Sequence, residues 1–239
     1  MNKTVTQTQL TFFSDTEQYA TALADHPDFR VLRRLVPREV FRQPDGRALS
    51  KGIVIDTETT GLIAGQDKII ELAMLSFEFD AASGEVFRIL DSYTGFEDPG
   101  EPIPPESIAV HGITDEMVAG QQIDDTAVAA FIDGAALIIA HNARFDRQFL
   151  EVRLPLFEQH AWACSFAQVD WQAGGIASAK LEFIAYRMGF FYDAHRALTD
   201  CIALLEALQG AMPANKLQPL QNILQQCHKE DFRVWARGS

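Results

Sequence analysis

The stretch that most constrains the fold is Gly52-Ile53-Val54-Ile55-Asp56-Thr57-Glu58-Thr59-Thr60-Gly61-Leu62. Ile53-Val54-Ile55 is a β-branched apolar run that predicts a short buried strand, and Asp56 and Glu58 follow at its carboxyl end. Alternate side chains of a strand share a face, so the two carboxylates stand side by side, about 7 Å apart at their Cα atoms. Like charges placed beside a core raise each other's pKa unless a cation lies between them. A divalent-metal site is one reading of this pair. The other is a polar turn or helix cap with an incidental acidic pair, and a lone D-x-E does not choose between them.

Composition narrows the class. A chain of 239 residues suits one domain with an appendage. It contains no run of about 18 apolar residues, and the polar start Met1-Asn2-Lys3-Thr4 is no signal peptide. Neither membrane insertion nor secretion is supported, and a cytoplasmic location is expected. Cys164, Cys201 and Cys227 have neither C-x-x-C nor zinc spacing, so free thiols are expected. The net charge of −13 argues against a protein that grips long nucleic acid through its phosphates. It argues less against local binding, because a cluster of metal-binding acids reverses its effective sign once loaded.

Residues 1–50 read as a basic arm or small helical appendage. A short helix is predicted over Asp15 to Ala24, capped by Ser14 or Asp15. Arg30, Arg33, Arg34, Arg38, Arg42 and Arg47 then alternate with apolar residues at helical spacing, as in an arm lying on the body or on nucleic acid. From Lys51 the rhythm becomes that of long strands, with a second at Lys68 to Phe79 and a third at Glu85 to Phe96, joined by the Ala82-Ser83-Gly84 turn into a meander. Pro99, Pro102, Pro104 and Pro105 predict an irregular crossing. Thr114 caps a short helix, Thr126 to Ile132 forms another, and Leu137 to Ala140 is a buried strand. Asn142 caps a helix on which Asp146 stands on or beside the inward face, where it lacks an evident partner apart from Arg153 or a shared metal. Ala161 to Ala167 reads as a fifth strand, Ala179 to Met188 as a helix closed by Gly189, and Phe190 to Asp193 as a loop. Five residues span about 140° of helix, so His195 belongs to the loop before the helix that carries Asp200 in its first turns. Residues 211–239 read as a last helix, from Ala214 to Cys227, and a tail with Phe232 and Trp235. The chain ends on Arg237-Gly238-Ser239 without a closing element, as expected of a chain cut short or continued by a further domain.

Taken together, Asp56-Thr57-Glu58-Thr59-Thr60-Gly61-Leu62, the following Ile69-Ile70-Glu71-Leu72-Ala73, His111-Gly112-Ile113-Thr114, His141-Asn142-Ala143-Arg144-Phe145-Asp146 and His195-Arg196-Ala197-Leu198-Thr199-Asp200 resemble the DEDDh (DnaQ-like) 3′→5′ exonuclease family. The family includes the proofreading subunit of bacterial replicative polymerase, and the match covers residues 51 to about 209. The resemblance implies a ribonuclease-H-like α/β fold: a mixed five-stranded sheet of order 3-2-1-4-5 with helices on both faces. It makes Asp56, Glu58, Asp146 and Asp200 ligands of two Mg²⁺ or Mn²⁺ ions, with Asp146 acting partly through bound water, and His195 the general base. It further implies that Thr57, Thr59 and Leu62 hold the terminal nucleotide, and that His111, Ile113, Asn142 and Phe145 line the path of the strand. An in-line hydrolysis of this kind suits two metal ions and an imidazole that takes the proton of the attacking water. The product is a nucleoside 5′-monophosphate.

The expected substrate is therefore the 3′ end of single-stranded nucleic acid, DNA before RNA, with little sequence preference. The long basic arm and the lack of a clamp-binding motif point to a stand-alone or accessory enzyme in proofreading or repair, with the arm supplying a strand contact that the acidic body lacks. The alternatives are an exoribonuclease acting on RNA or oligoribonucleotide ends, a module that binds a polymerase subunit, and a metal-dependent phosphatase.

Overall fold

A computed structural model describes the backbone of residues 7–210 and 218–227 and the side chains of residues 15–210 and 218–226. The central sheet contains β2 (Ser50–Thr59), β3 (Ile69–Phe79), β4 (Val86–Phe96), β5 (Leu137–Ala140) and β6 (Trp162–Cys164) in the order β4-β3-β2-β5-β6. Counted among these five strands, that is the expected 3-2-1-4-5. The meander β2-β3-β4 is antiparallel, whereas β5 and β6 run parallel to β2. A second, two-stranded sheet pairs β1 (Arg33–Arg34) with β7 (Phe190–Phe191) in parallel. The helices are α1 (Gln7–Ala24), α2 (Pro105–His111), α3 (Asp115–Val118), α4 (Asp125–Ile132), α5 (Ala143–Arg153), α6 (Ser165–Gln168), α7 (Leu181–Met188), α8 (Ala197–Leu208) and α9 (Pro219–Cys227).

Strand period decides what each face of the sheet carries. Val54 of β2 and Ala73, Leu75 and Phe77 of β3 pack with α7, α8 and α9. Ile53 and Ile55, with Leu72 and Met74, face the other way, onto α4 and α5. Both faces of β2 are thus covered by helices, which is why its sequence is a continuous apolar run and does not alternate.

Several local expectations differ from the structure. The first helix begins at Gln7, so Ser14 and Asp15 lie inside it and not at its N-cap position. The arginine-rich segment is not helical. It is extended, because its backbone bonds pair it with β7 and with Phe87 and Ile89 of β4. The proline-rich crossing contains helix α2, with Pro105 in its first turn, where a missing N–H costs nothing. Thr114 and Asn142 occupy N-cap positions, but neither side chain makes the cap bond; Asn142 is there for its left-handed φ of 68°. The fifth strand is cut at Cys164 because Ser165 to Gln168 turn helical. Cys164 and Cys201 are buried free thiols. The expected start of the last helix, at Ala214, and the tail with Phe232 and Trp235 lie outside the described residues. Among the described residues no helix is long and apolar enough to cross a membrane.

Candidate active site

The site forms where β2 outruns its parallel neighbour. β5 pairs with β2 only at Gly52 to Val54, so on that side the strand's last residues run on past their parallel neighbour. A register shift between Glu58 and Thr59 marks the same place, as bulges beside active sites often do. On the α8 face, Asp56 and Glu58 meet Asp200 of the first turn of α8, with carboxylate oxygens of the three within 4.8 Å of one another.

Asp146 arrives from the opposite side. It lies on α5, packed under the face that carries Ile53, Ile55 and Thr57, and its Oδ1 accepts the Thr57 N–H (3.0 Å) and the Thr57 hydroxyl (2.9 Å). The partner that the sequence did not reveal for this buried acid is therefore Thr57. Arg153 pairs instead with Glu97 and Asp125. The structure brings Asp56, Glu58 and Asp200 into one cluster and leaves Asp146 beside it.

Electrostatics set the character of the cluster. Burial, and then the charges of Asp146, Asp200, Glu58 and Glu71, push the Asp56 carboxyl well above the usual range. Burial followed by Asp200 and Glu71 raises Glu58 to about 8. Burial raises Asp146 to about 7 against the opposing bond from Thr57. Asp200 is also raised by burial, although the Arg196 N–H and the Tyr192 hydroxyl hold its charged form. Carboxylates confined in this way, all oxygen donors, fit a hard divalent cation, which would return them to the ionised state.

His195 stands in the loop before α8, as its spacing from Asp200 required, with a left-handed φ of 63°. Its side chain is half exposed, and Nε2 lies 3.6 Å from Glu182 Oε1 of α7. The other residues expected at the site divide into two groups. Leu62 is 78% exposed at the rim, Asn142 is exposed, and Phe145 is half-buried against Phe149. Ile113, by contrast, is 0% exposed and packs with Ile70, Ile103 and Val118, which puts it in the core and not on a strand's path. Thr57 and Thr59 are buried, and their hydroxyls donate to Asp146 and to the Gly61 carbonyl. His111 is buried, and its Nδ1 accepts the Ile113 N–H at 3.0 Å.

One positioning residue escaped the sequence. Glu71 stands directly across from Glu58 on β3 and is buried, yet it accepts the Arg196 guanidinium (3.0 and 3.3 Å) and the N–H of Ala197, the first residue of α8 (3.1 Å). An anion at a helix start is favourable, and here it ties α8, with His195 before it and Asp200 inside it, to the sheet. Glu71 sits in an apolar run, and nothing in sequence spacing links it to Arg196. Glu71→Ala is expected to cost about 2–3 kcal/mol through the lost cap and cavity, lowering the thermal midpoint by roughly 5–10 °C. A Glu71→Ala protein that melts with the wild type would show that α8 is anchored by packing alone.

The chain's likeness to known proteins agrees with this geometry. The exonuclease (RNase_T) family model matches residues 53–208. The chain is similar to the DNA polymerase III subunit epsilon of Treponema pallidum, with 31% identity over 163 residues that cover 63% of this chain and 71% of that protein. It is similar to a DNA polymerase III subunit epsilon-like protein of Rhodobacter capsulatus, with 35% identity over 183 residues, or 70% of this chain, and spans only 24% of that protein's length. A crystal structure of E. coli exonuclease I in complex with a dA16 oligonucleotide shares the fold, at a TM-score of 0.56 and 16% identity over 78% of this chain and 45% of that one. This chain belongs to the exonuclease family, in its DEDDh (DnaQ-like) 3′→5′ branch.

Proposed function

We propose that the protein removes nucleotides one at a time from the 3′ end of single-stranded DNA, releasing nucleoside 5′-monophosphates. The observation that carries this reading is the convergence of Asp56, Glu58 and Asp200 beside a half-exposed His195 at the carboxyl end of β2. In it, Asp56, Glu58 and Asp200, with Asp146 alongside, hold two Mg²⁺ or Mn²⁺ ions. Bound divalent cations supply charge neutralisation at the scissile phosphate and acidify the attacking water. His195 accepts the proton of that water, with Glu182 Oε1 3.6 Å from its Nε2. The exposed Leu62 meets the terminal base, an apolar contact indifferent to sequence. The polymerase III names of the relatives favour DNA over RNA and a link to a polymerase subunit. The division into an arm (1–50), a catalytic domain (51–210) and a C-terminal helix and tail (211–239) belongs to the same proposal.

The test is digestion of 5′-labelled single-stranded DNA and a matched RNA with Mg²⁺ or Mn²⁺. A ladder shortening from the 3′ end of DNA, slower on RNA, with 5′-monophosphate products, is the expected result. Faster digestion of RNA would make the protein an exoribonuclease. Intact strands with folded, metal-loaded protein would leave only a binding role.

A further inference from the structure

Within the arm that precedes the catalytic sheet, the contacts of Arg30, Arg34 and the Arg33 and Leu35 backbone are concentrated on one short target. Arg33 N–H donates to the Gly189 carbonyl (2.9 Å) and Leu35 N–H to the Phe191 carbonyl (2.8 Å), the bonds that flank the β1–β7 pairing. Arg30 donates to the Tyr186 and Arg187 carbonyls (2.7 and 2.9 Å) at the end of α7, where a cation is favoured, and covers the Tyr186 ring at 4.3 Å. Arg34 pairs with Asp193 (2.9 Å) and lies over Phe191 at 4.9 Å. All of these partners fall within residues 186–193, which end two residues before His195.

The clamped segment leads straight into the site. Tyr192, between Phe191 and Asp193, donates its hydroxyl to Asp200 (3.2 Å). Helix α7, held by Arg30, carries the Glu182 that faces His195. His195 itself occupies a left-handed conformation, uncommon for a non-glycine residue and kept only where the surrounding structure over-determines it. Glu71 holds the flank after it; the arm holds the flank before it. The arm's arginines are meanwhile engaged with acids of this chain, Arg34 with Asp193, Arg38 with Glu206, Arg42 with Glu85 and Arg47 with Asp80, and not presented as a free stripe for phosphate.

We propose that Arg30 to Leu35 form an intramolecular brace that sets the position of His195, and that the arm acts on the reaction through that residue. The inference rests on the role of His195 given above. Two variants of the full chain test it. Leu35→Pro deletes the N–H donated to Phe191, and misplacement of a reacting group by such a loss is expected to lower kcat about ten- to a hundredfold with KM unchanged. Arg34→Glu sets two carboxylates side by side and is expected to lower kcat about threefold, with Asp193→Arg restoring the rate in the double variant. This pair decides the matter should Leu35→Pro fail to fold. In a His195→Ala background neither change should reduce the rate further. A His195→Ala enzyme with the wild-type rate would defeat the general-base role itself. If His195→Ala is slow but the arm variants keep the wild-type kcat, or slow the reaction equally with and without the imidazole, the brace is overturned.

Discussion

Asp56→Asn is expected to lower kcat by about a thousandfold or more while raising the melting temperature of the metal-free protein. The two effects share one cause. Asp56 lies in the strand that supplies Glu58, it faces Asp200, and burial, followed by the charges of four neighbouring acids, holds its carboxyl well above the usual range. Asparagine has the same shape and no charge. It removes a ligand from the cation site and, in the same step, removes a buried repulsion from the folded state. The relief is expected to amount to about 1–2 kcal/mol, or roughly 2–8 °C. Single-turnover digestion and thermal melts in chelator measure the two halves. A variant that is inactive but also less stable would show that Asp56 is held by its neighbours and not strained by them.

The metal-free protein is expected to lose stability as pH rises through the neutral range, and divalent cation to restore it. The sign follows from the shifts. Glu58 is raised from 4.5 to about 8 and Asp146 from 3.8 to about 7, so the folded chain binds more protons than the unfolded one between about pH 4 and pH 8. A group with a raised folded pKa contributes its stability fully below the unfolded value and loses it as pH climbs through the folded one. Loss of stability should therefore be steepest between about pH 5 and pH 7, where both groups are ionised in the unfolded chain and protonated in the folded one, and should level off above about pH 8. Cation at about a hundred times its Kd stabilises by about 2.7 kcal/mol. Its effect should be larger at pH 8.5 than at pH 5.5, where protons must first be displaced. Melting curves with chelator and with Mg²⁺ at the two pH values are the measurement. An equal gain at both would mean that the cation binds elsewhere.

What could be read along the chain was whatever depends on local period and on spacing within one element. The apolar run Ile53-Val54-Ile55 with Asp56 and Glu58 after it announced a strand and a pair of acids on one face, and the structure has both on the face toward α8. The five-residue separation of His195 and Asp200 kept them from sharing one face of a helix, and His195 is in the loop before α8. The sheet and its order were implied by the family resemblance, which the hairpin and strand–helix pattern fits, and the five strands are ordered 3-2-1-4-5. The helical spacing in the arginine segment misled because its backbone bonds go to Gly189 and Phe191, more than 150 residues away, and to strand β4. A pattern of apolar residues cannot register a partner so distant.

The sequence by itself determined which side chains can do chemistry and on which elements they ride: Asp56 and Glu58 on a strand, Asp146 and Asp200 on helices, His195 in a turn. The tertiary structure alone decided how they meet. Alternation along β2 sends Asp56 and Glu58 toward α8 and Thr57 toward α5, so Asp200 completes the acid cluster while Asp146 takes the Thr57 N–H and hydroxyl. It also decided that Ile113 is core, that Glu71 anchors α8 and that the arm lies along β7. The physical reason is that a strand's period assigns side chains to faces, whereas the helix that covers each face, and the partner it brings to a buried charge, depends on packing between residues far apart in the chain.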